Sequence, residues 1–468
     1  MTSSTVGTDA APQTRAADRS AATGRVAVAA AVLALLLAAM DATVMGTVLP
    51  SVLADVGGGS GGGYAWLVSG FMLAQVAGTP LAGWVSDRLD DRVLAIGATV
   101  VFLAASVVAG LADSFGVLVA ARVLHGLTAG AIVVSSYVIV GRVFGPERRA
   151  KAQSMLSMVW GVAAVLGPVV GASLTGAWGW RWVFLVNVPL CVLVVVAIAV
   201  ALPRRAGEGA AGEGPAARKG FPVGEYALVT GGSALFLCGL QGGSLGIGTA
   251  GGAAAVVVGL VALALVRRFG GSLVPRQMFA RTPSAGAALA TVGACVVMYA
   301  TVTVLPVRLA ERGMSTAGVA VVVGLSALGW VAGSAVTGGL IAERGYRPSM
   351  VAGALALLGS AALSATGQLP WLAGLLAGLG TGAVTAATLA LIQDQSPPAQ
   401  LGVATSAATM LRNIGSAAGV NGIAALSAAV ATSSSHDGDR AFWVLAAVAA
   451  LTVLLPALSA PRRRTTTA

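Results

Sequence analysis

Asp41, Arg122, His125 and Arg412 are ionisable side chains set inside long apolar stretches, and they carry the chemistry this sequence offers. A carboxylate beside a guanidinium in an apolar medium can hold or release a proton and can bind a charged ligand, but it makes no covalent intermediate by itself. Other chemistries lack their residues. The chain has two histidines and three cysteines (Cys191, Cys238 and Cys295), each cysteine inside an apolar run, so neither a metal cluster nor a disulfide framework is expected. There is no HExxH or GxxxxGK[ST], which argues against a metalloprotease or an ATP-driven pump. The reading is of a non-enzyme without a cofactor, whose energy must come from an ion gradient.

The runs around these residues must position them. Of 468 residues, 57% are hydrophobic and 10% charged, against about 25% charged in a soluble domain. Stretches of about twenty apolar residues recur along the chain, long enough to cross a bilayer as helices. The sequence predicts an all-α membrane protein of fourteen spans: 26–50, 64–84, 93–112, 117–141, 152–176, 180–202, 223–243, 247–267, 283–307, 317–342, 349–367, 369–393, 402–430 and 441–459. Residues 1–25 read as a disordered tail without a cleavable signal, 203–222 as a flexible linker and 460–468 as a basic tail.

With these spans, 22 of the 28 basic residues fall on the side that carries both termini, which predicts that both are cytoplasmic. The net charge of +11 is scattered over the loops, so it reads as membrane orientation and not as nucleic-acid binding. Enrichment in Ala, Gly and Arg points to a GC-rich bacterial genome and hence a bacterial plasma membrane. The partners expected are lipid, protons and an amphipathic small molecule, with the protein a monomer.

GWVSDR at 83–88 returns as GLIAER at 339–344, each at the end of a span and each followed by another arginine, Arg92 and Arg347. The offset matches the distance between the first and ninth spans. The expected domains are therefore two six-helix halves, 26–202 and 283–459, with two helices at 223–267 inserted between them.

These motifs resemble the major facilitator superfamily, in particular its fourteen-span drug:proton antiporter branch. GWVSDRLDDR at 83–92 is similar to its loop motif, with Asp90 and Asp91 in place of the usual glycine and basic residue. RVLHG carries Arg122 and has His125 where glutamine is common; GVAAVLGPVVGA at 161–172 resembles the antiporter motif of the fifth helix. DATVMGTVLP at 41–50 and WGWRWVFLVNVP at 178–189 resemble branch signatures, and Phe71 stands where tyrosine is frequent. The resemblance implies a major facilitator fold and drug or metabolite efflux by alternating access. Uptake in symport with protons is the alternative.

Asp41 and Arg122 fall at similar depths, so each is expected to face the other or a cavity, with Asp41 as proton carrier and Arg122 tuning it. His125, one turn from Arg122, is a second proton-coupling candidate. The resemblance places Gly83, Asp87, Arg88 and Arg92 at a cytoplasmic gate, with Glu343 and Arg344 as their counterparts. Gly161, Gly167, Pro168 and Gly171 would make a kinked, closely packed fifth helix between the halves. Glu225 reads as a helix cap or interfacial anchor. Substrate-cavity candidates are Trp66, Met72, Gln75, Trp160, Asn187, Met298, Tyr299, Trp330 and Arg412, because aromatic, methionine and polar surfaces suit varied ligands.

Overall fold

Apolar residues without β-periodicity, broken by glycine, proline and short polar turns, give helices throughout the computed structural model. It describes residues 10–57, 65–144, 146–202, 220–240, 248–269, 271–278, 282–430, 447–448 and 450–461. The helices are α1 (Ala10–Val56), α2 (Ala65–Ser86), α3 (Asp91–Gly110), α4 (Phe115–Val143), α5 (Pro146–Trp178), α6 (Trp182–Leu185) and α7 (Asn187–Ala201). There follow α8 (Val223–Leu240), α9 (Gly248–Phe269), α10 (Pro283–Glu311), α11 (Thr316–Arg344), α12 (Tyr346–Thr366), α13 (Pro370–Asp394) and α14 (Leu401–Val430). A π-helical turn at Ala450–Leu454 leads into α15 (Leu455–Ser459). Among the described residues, twelve helical segments are long and apolar enough to cross a membrane, α6 and α7 counting as one.

Local signals set the helix starts. Asp90, Ser114, Thr282 and Ser315 each cap a helix by accepting a backbone N–H from its first turn. Among the described residues most ends differ from the predicted bounds by a few residues, and two spans depart further. Residues 10–25, read as a tail, are helical and continuous with the first span, which passes through Pro50 to Val56. The sixth span is broken at Val186 into α6 and α7. The glycine run 58–64, most of the linker (203–219), the turn at 241–247, His436 and residues 462–468 of the basic tail lie outside the described residues.

Packing follows glycine. A Cβ on Gly126 would lie 2.1 Å from the Phe71 carbonyl oxygen, and one on Gly78 would lie 2.1 Å from that of Leu127, so α2 and α4 touch backbone to backbone. Gly329, Gly333, Gly378 and Gly382 do the same for α11 and α13. Small residues spaced by four make this approach possible in lipid, where no hydrophobic force drives helices together. The pairings α2/α4, α3/α4 and α1/α5 recur as α11/α13, α12/α13 and α10/α14. Between the two sets, α5 packs on α11 and α2 on α14, a reciprocal pairing. Helices α8 and α9 pack on each other through Gly232, Gly239 and Gly259, and α8 also touches α2 and α14.

Candidate functional site

Asp41 and Arg122 come together across α1 and α4. Nη1 of Arg122 donates to Oδ2 of Asp41 at 2.5 Å, and both side chains are 1% exposed. Nε of Arg122 donates to the Leu67 carbonyl at 3.3 Å, and the guanidinium lies 4.4 Å above the Phe71 ring. Phe71 therefore serves as a face for the cation, a role its ring supplies without a hydroxyl. Oδ1 of Asp41 has no hydrogen-bond partner and faces Nδ1 of His125 at 3.9 Å, likewise unpaired. The imidazole is stacked between Phe102 and Phe184 and meets the Ser106 hydroxyl through Nε2 at 2.9 Å. One carboxylate oxygen is thus bound to a cation while the other points at an imidazole just beyond hydrogen-bonding distance.

The spacing D-A-T explains how α1 is held. Two residues turn a helix by about 200°, so Thr43 faces away from Asp41 and toward α5. Its hydroxyl proton is shared between the Met40 carbonyl of its own helix at 3.0 Å and the Ala163 carbonyl of α5 at 3.2 Å, and a Cβ on Gly167 would lie 2.1 Å from its oxygen. Gly171 packs on Val44 in the same seam. Of the α5 motif, only Gly161 faces the second set of helices, against Ala327 and Val331 of α11. This corrects the expectation that the whole motif lies between the halves: residues 167 and 171 are about one turn apart on the face that meets α1. Helix α5 runs unbroken through Pro168.

The α2–α3 turn meets the start of α14. Asp87 accepts from the backbone N–H groups of Gly402 at 2.7 Å and Val403 at 2.9 Å, at the positive end of that helix. Gly83 permits the approach, since its Cβ would lie 2.2 Å from the Ser406 hydroxyl. Arg142 of α4 joins the cluster, 2.5 Å from Asp91 and 3.6 Å from Asp87. Burial pushes the Asp87 carboxyl up to about 6, against the opposing pull of the two N–H groups, Arg142 and Arg88. Arg88 folds back over Trp84, and Arg92 donates to the Leu202 carbonyl at the end of α7.

Glu343 and Arg344 do not repeat this arrangement. Both are exposed, and neither forms an ion pair among the described residues. The glycine that packs between helices is Gly338, against Lys151 and Ser154 of α5, while nothing approaches Gly339. Five residues separate Gly338 from Glu343, which turns the acid about 140° off the packed face, whereas Asp87 follows Gly83 by four. The acid that works on this side is Asp394 at the end of α13. It pairs with Arg149 of α5 at 3.1 Å and accepts from the Tyr346 hydroxyl. Gln153–Gln393 at 2.7 Å and Ser157–Ser334 at 2.9 Å continue the seam toward mid-depth.

At the top of this seam lies a small polar cavity of about 20 Å³, room for about one water molecule, lined by Tyr137, Ser157, Thr291, Thr385, Thr388, Thr409 and Arg412. Of the nine residues proposed from sequence, only Arg412 lines it. Trp160 stacks on Arg412 with its ring centroid 4.0 Å from the guanidinium carbon and donates to the Tyr137 hydroxyl. Met298 and Trp330 are buried with Ala377, and Trp160 and Tyr299 pack against them. Trp66 and Met72 are exposed on α2, Gln75 is buried against α4, and Asn187 is buried at the start of α7. The sequence reading missed the threonines, although Thr381, Thr385 and Thr388 recur at helical spacing on α13.

A buried ion pair, paired helix seams and a polar cavity between two helix sets describe a carrier. The Major Facilitator Superfamily model matches residues 31–420. The chain belongs to that superfamily. It is 32% identical over 112 residues to Multidrug resistance protein 3 of Bacillus subtilis, which covers 24% of this chain and 22% of that protein. It is 27% identical over 205 residues to the Multidrug resistance protein B homolog of Mycobacterium tuberculosis, 44% of this chain and 36% of that protein. The matches thus span about a fifth to a third of these relatives. The solved structure of the human organic anion transporter MFSD10 (TETRAN) superposes with a TM-score of 0.68 at 18% identity, over 92% of this chain and 99% of that one, which shows the fold. Members of that superfamily and the solved neighbours are membrane transporters and not enzymes.

Proposed function

We propose that this transporter exports amphipathic drugs or a toxic metabolite across a bacterial plasma membrane in exchange for protons. In this reading it belongs to the fourteen-span drug:proton antiporter branch, with two six-helix halves, α8 and α9 inserted between them, and both termini cytoplasmic. The repeated helix pairings and the multidrug relatives support it.

The observation that carries the proposal is the buried Asp41–Arg122 pair with its unpaired oxygen facing His125. Asp41 carries the proton, and the position of Arg122 decides whether the carboxylate is held charged. A closing movement of about 1 Å would bring His125 into hydrogen-bonding range as the relay. The α2–α14 and α5–α13 contacts form the cytoplasmic gate, closed here, and this gate must part for cargo to enter from inside. Such export confers antibiotic resistance on the host.

Expression in an efflux-deficient bacterium with a drug panel, followed by substrate-induced proton release from proteoliposomes, tests the proposal. Asp41→Asn abolishes both resistance and proton release. Proton-coupled export by this variant at the wild-type rate sinks the assignment.

A further inference from the structure

Among the described residues, no anion answers the charge of Arg412 in the cavity. Arg412 sits at mid-length of α14, 9% exposed, and its Nη2 is buried without a hydrogen-bond partner. No carboxylate among the described residues pairs with it, in contrast to Arg122, Arg142, Arg149 and Arg181. Its contacts are the Trp160 face and the Tyr137 hydroxyl, the latter at a long 3.5 Å. A lone cation in a membrane protein is costly, and a tryptophan face offsets only part of that cost. An anion entering the cavity would supply the remainder.

The hydroxyls around it are already oriented. Thr385 donates to the Thr381 carbonyl at 2.7 Å, and Thr409 to that of Thr405 at 2.9 Å. Each has committed its single proton to its own helix, so what it turns to the cavity is an acceptor lone pair. Tyr137 is the reverse. Its oxygen accepts from Trp160 Nε1 and Arg412 Nη1, which leaves its own proton free to donate. The cavity therefore offers a cation and a phenol donor at one end, and a wall of threonine acceptors at the other.

We propose that this cavity, widened as the two helix sets part, is a binding site for an organic anion bearing hydrogen-bond donors, such as a hydroxylated aromatic acid. Its anionic group is bound by Nη2 of Arg412 and the Tyr137 hydroxyl, and its hydroxyl or amino groups donate to Thr385 and Thr409. The assignment rests on the transporter reading and names its substrate class: the cargo is an amphipathic acid and not a cationic drug.

Binding is measured on the purified full chain in lipid nanodiscs, without a pH gradient, by calorimetry with four probes that share one ring system. They are 6-hydroxy-2-naphthoate, 2-naphthoate, 2-naphthamide and 2-naphthylmethylammonium. Both carboxylates bind at least about tenfold more tightly than the ammonium, the hydroxylated acid more tightly than the plain one, and empty nanodiscs account for none of the difference. Arg412→Gln lowers carboxylate affinity by about tenfold or more and leaves the amide unchanged, while Arg412→Lys retains part of the charge preference. Equal or tighter binding of the ammonium, no saturable carboxylate binding, or an unchanged carboxylate affinity in the glutamine variant overturns the proposal. Should Arg412→Gln fail to fold, the charge series on the wild-type chain and the lysine variant give the answer. Because no proton flux is read, failure here leaves proton-coupled export standing, and loss of coupling in Asp41→Asn leaves this test standing.

Discussion

Replacing Asp41 by Asn and Arg122 by Gln, singly and together, measures what the buried pair contributes. The N–O distance is 2.5 Å and both side chains are 1% exposed, so the charge centres lie roughly 4 Å apart and attract by about 4 kcal/mol at an effective dielectric constant of 20. Removing one member of a buried pair typically costs ~3–5 kcal/mol, because the survivor is left charged in an apolar setting. Arg122→Gln also loses the bond to the Leu67 carbonyl and the Phe71 contact, each worth about 1 kcal/mol whether or not Asp41 is present. The double variant buries no charge at this point and should be less destabilised than the sum of the two singles by about 3 kcal/mol. Ordinary interhelical hydrogen bonds in membranes couple by about 0.6 kcal/mol, with a maximum near 1.7, so the expected value stands clear of them. Reversible unfolding in mixed micelles at pH 7.5 supplies the four free energies. Additivity within about 0.5 kcal/mol would falsify the claim that these two charges act on each other.

Four further outcomes follow from the packing and the seam. With its carboxyl raised from 3.8 to about 6 by burial, Asp87 binds a proton in the closed contact that a solvated Asp87 would not bind between those values. The closed contact is therefore favoured, by up to ~3 kcal/mol, below pH 4, and loses that term as the pH rises through 6; spin labels at Leu89 and Gln400 should shorten their distance on acidification, and Asp87→Asn should remove the dependence. A Cβ at Gly378 would lie 1.8 Å from the Ser326 carbonyl oxygen, whereas nothing lies within 4 Å of one at Gly97; Gly378→Ala should lower thermal stability by an overpacking cost of ~1–3 kcal/mol, and Gly97→Ala should raise it slightly. Glu225 accepts from four consecutive backbone N–H groups, Gly271 to Val274, so Glu225→Gln should speed amide hydrogen exchange there about tenfold or more, while exchange in α13 stays unchanged. Gln277 in the same segment bonds Ser396, and Gln277→Ala should add to the exchange effect without affecting the Asp87 contact.

What could be read from sequence was what depends on depth and spacing. Asp41 and Arg122 were matched because two charges inside apolar runs at equal depth have few alternatives to each other. The α13 threonines and Asp394 were missed because which face of a helix meets the cavity depends on tertiary rotation, and α13 is apolar or small nearly all round. GLIAER misled for a related reason. The echo preserved letters but shifted the packed glycine by one position, from Gly339 to Gly338, and one position is 100° of rotation. Glu225 was read as a helix-end anchor; the structure makes it the anchor of a loop some forty-six residues later, a partner no local pattern announces.

The placement of α1 links the proposed proton site to the proposed gate. Asp41 holds α1 to α4, and Thr43, on the opposite face, holds it to α5 at Ala163 and Gly167. One turn and a half earlier on α5, Gly161 is locked against Ala327 of α11, and Ser157 bonds Ser334. Helix α1 thus cannot shift relative to α4 without straining a seam in which α5 is already in backbone contact with the other helix set. Close packing transmits displacement because interiors have little room to absorb it. The test of this contiguity is Thr43→Val, which keeps the shape and removes the bond to Ala163. If the seam carries the signal, proton binding and substrate binding each survive in this variant while their coupling weakens. If α1 acts by charge alone, the coupling is untouched.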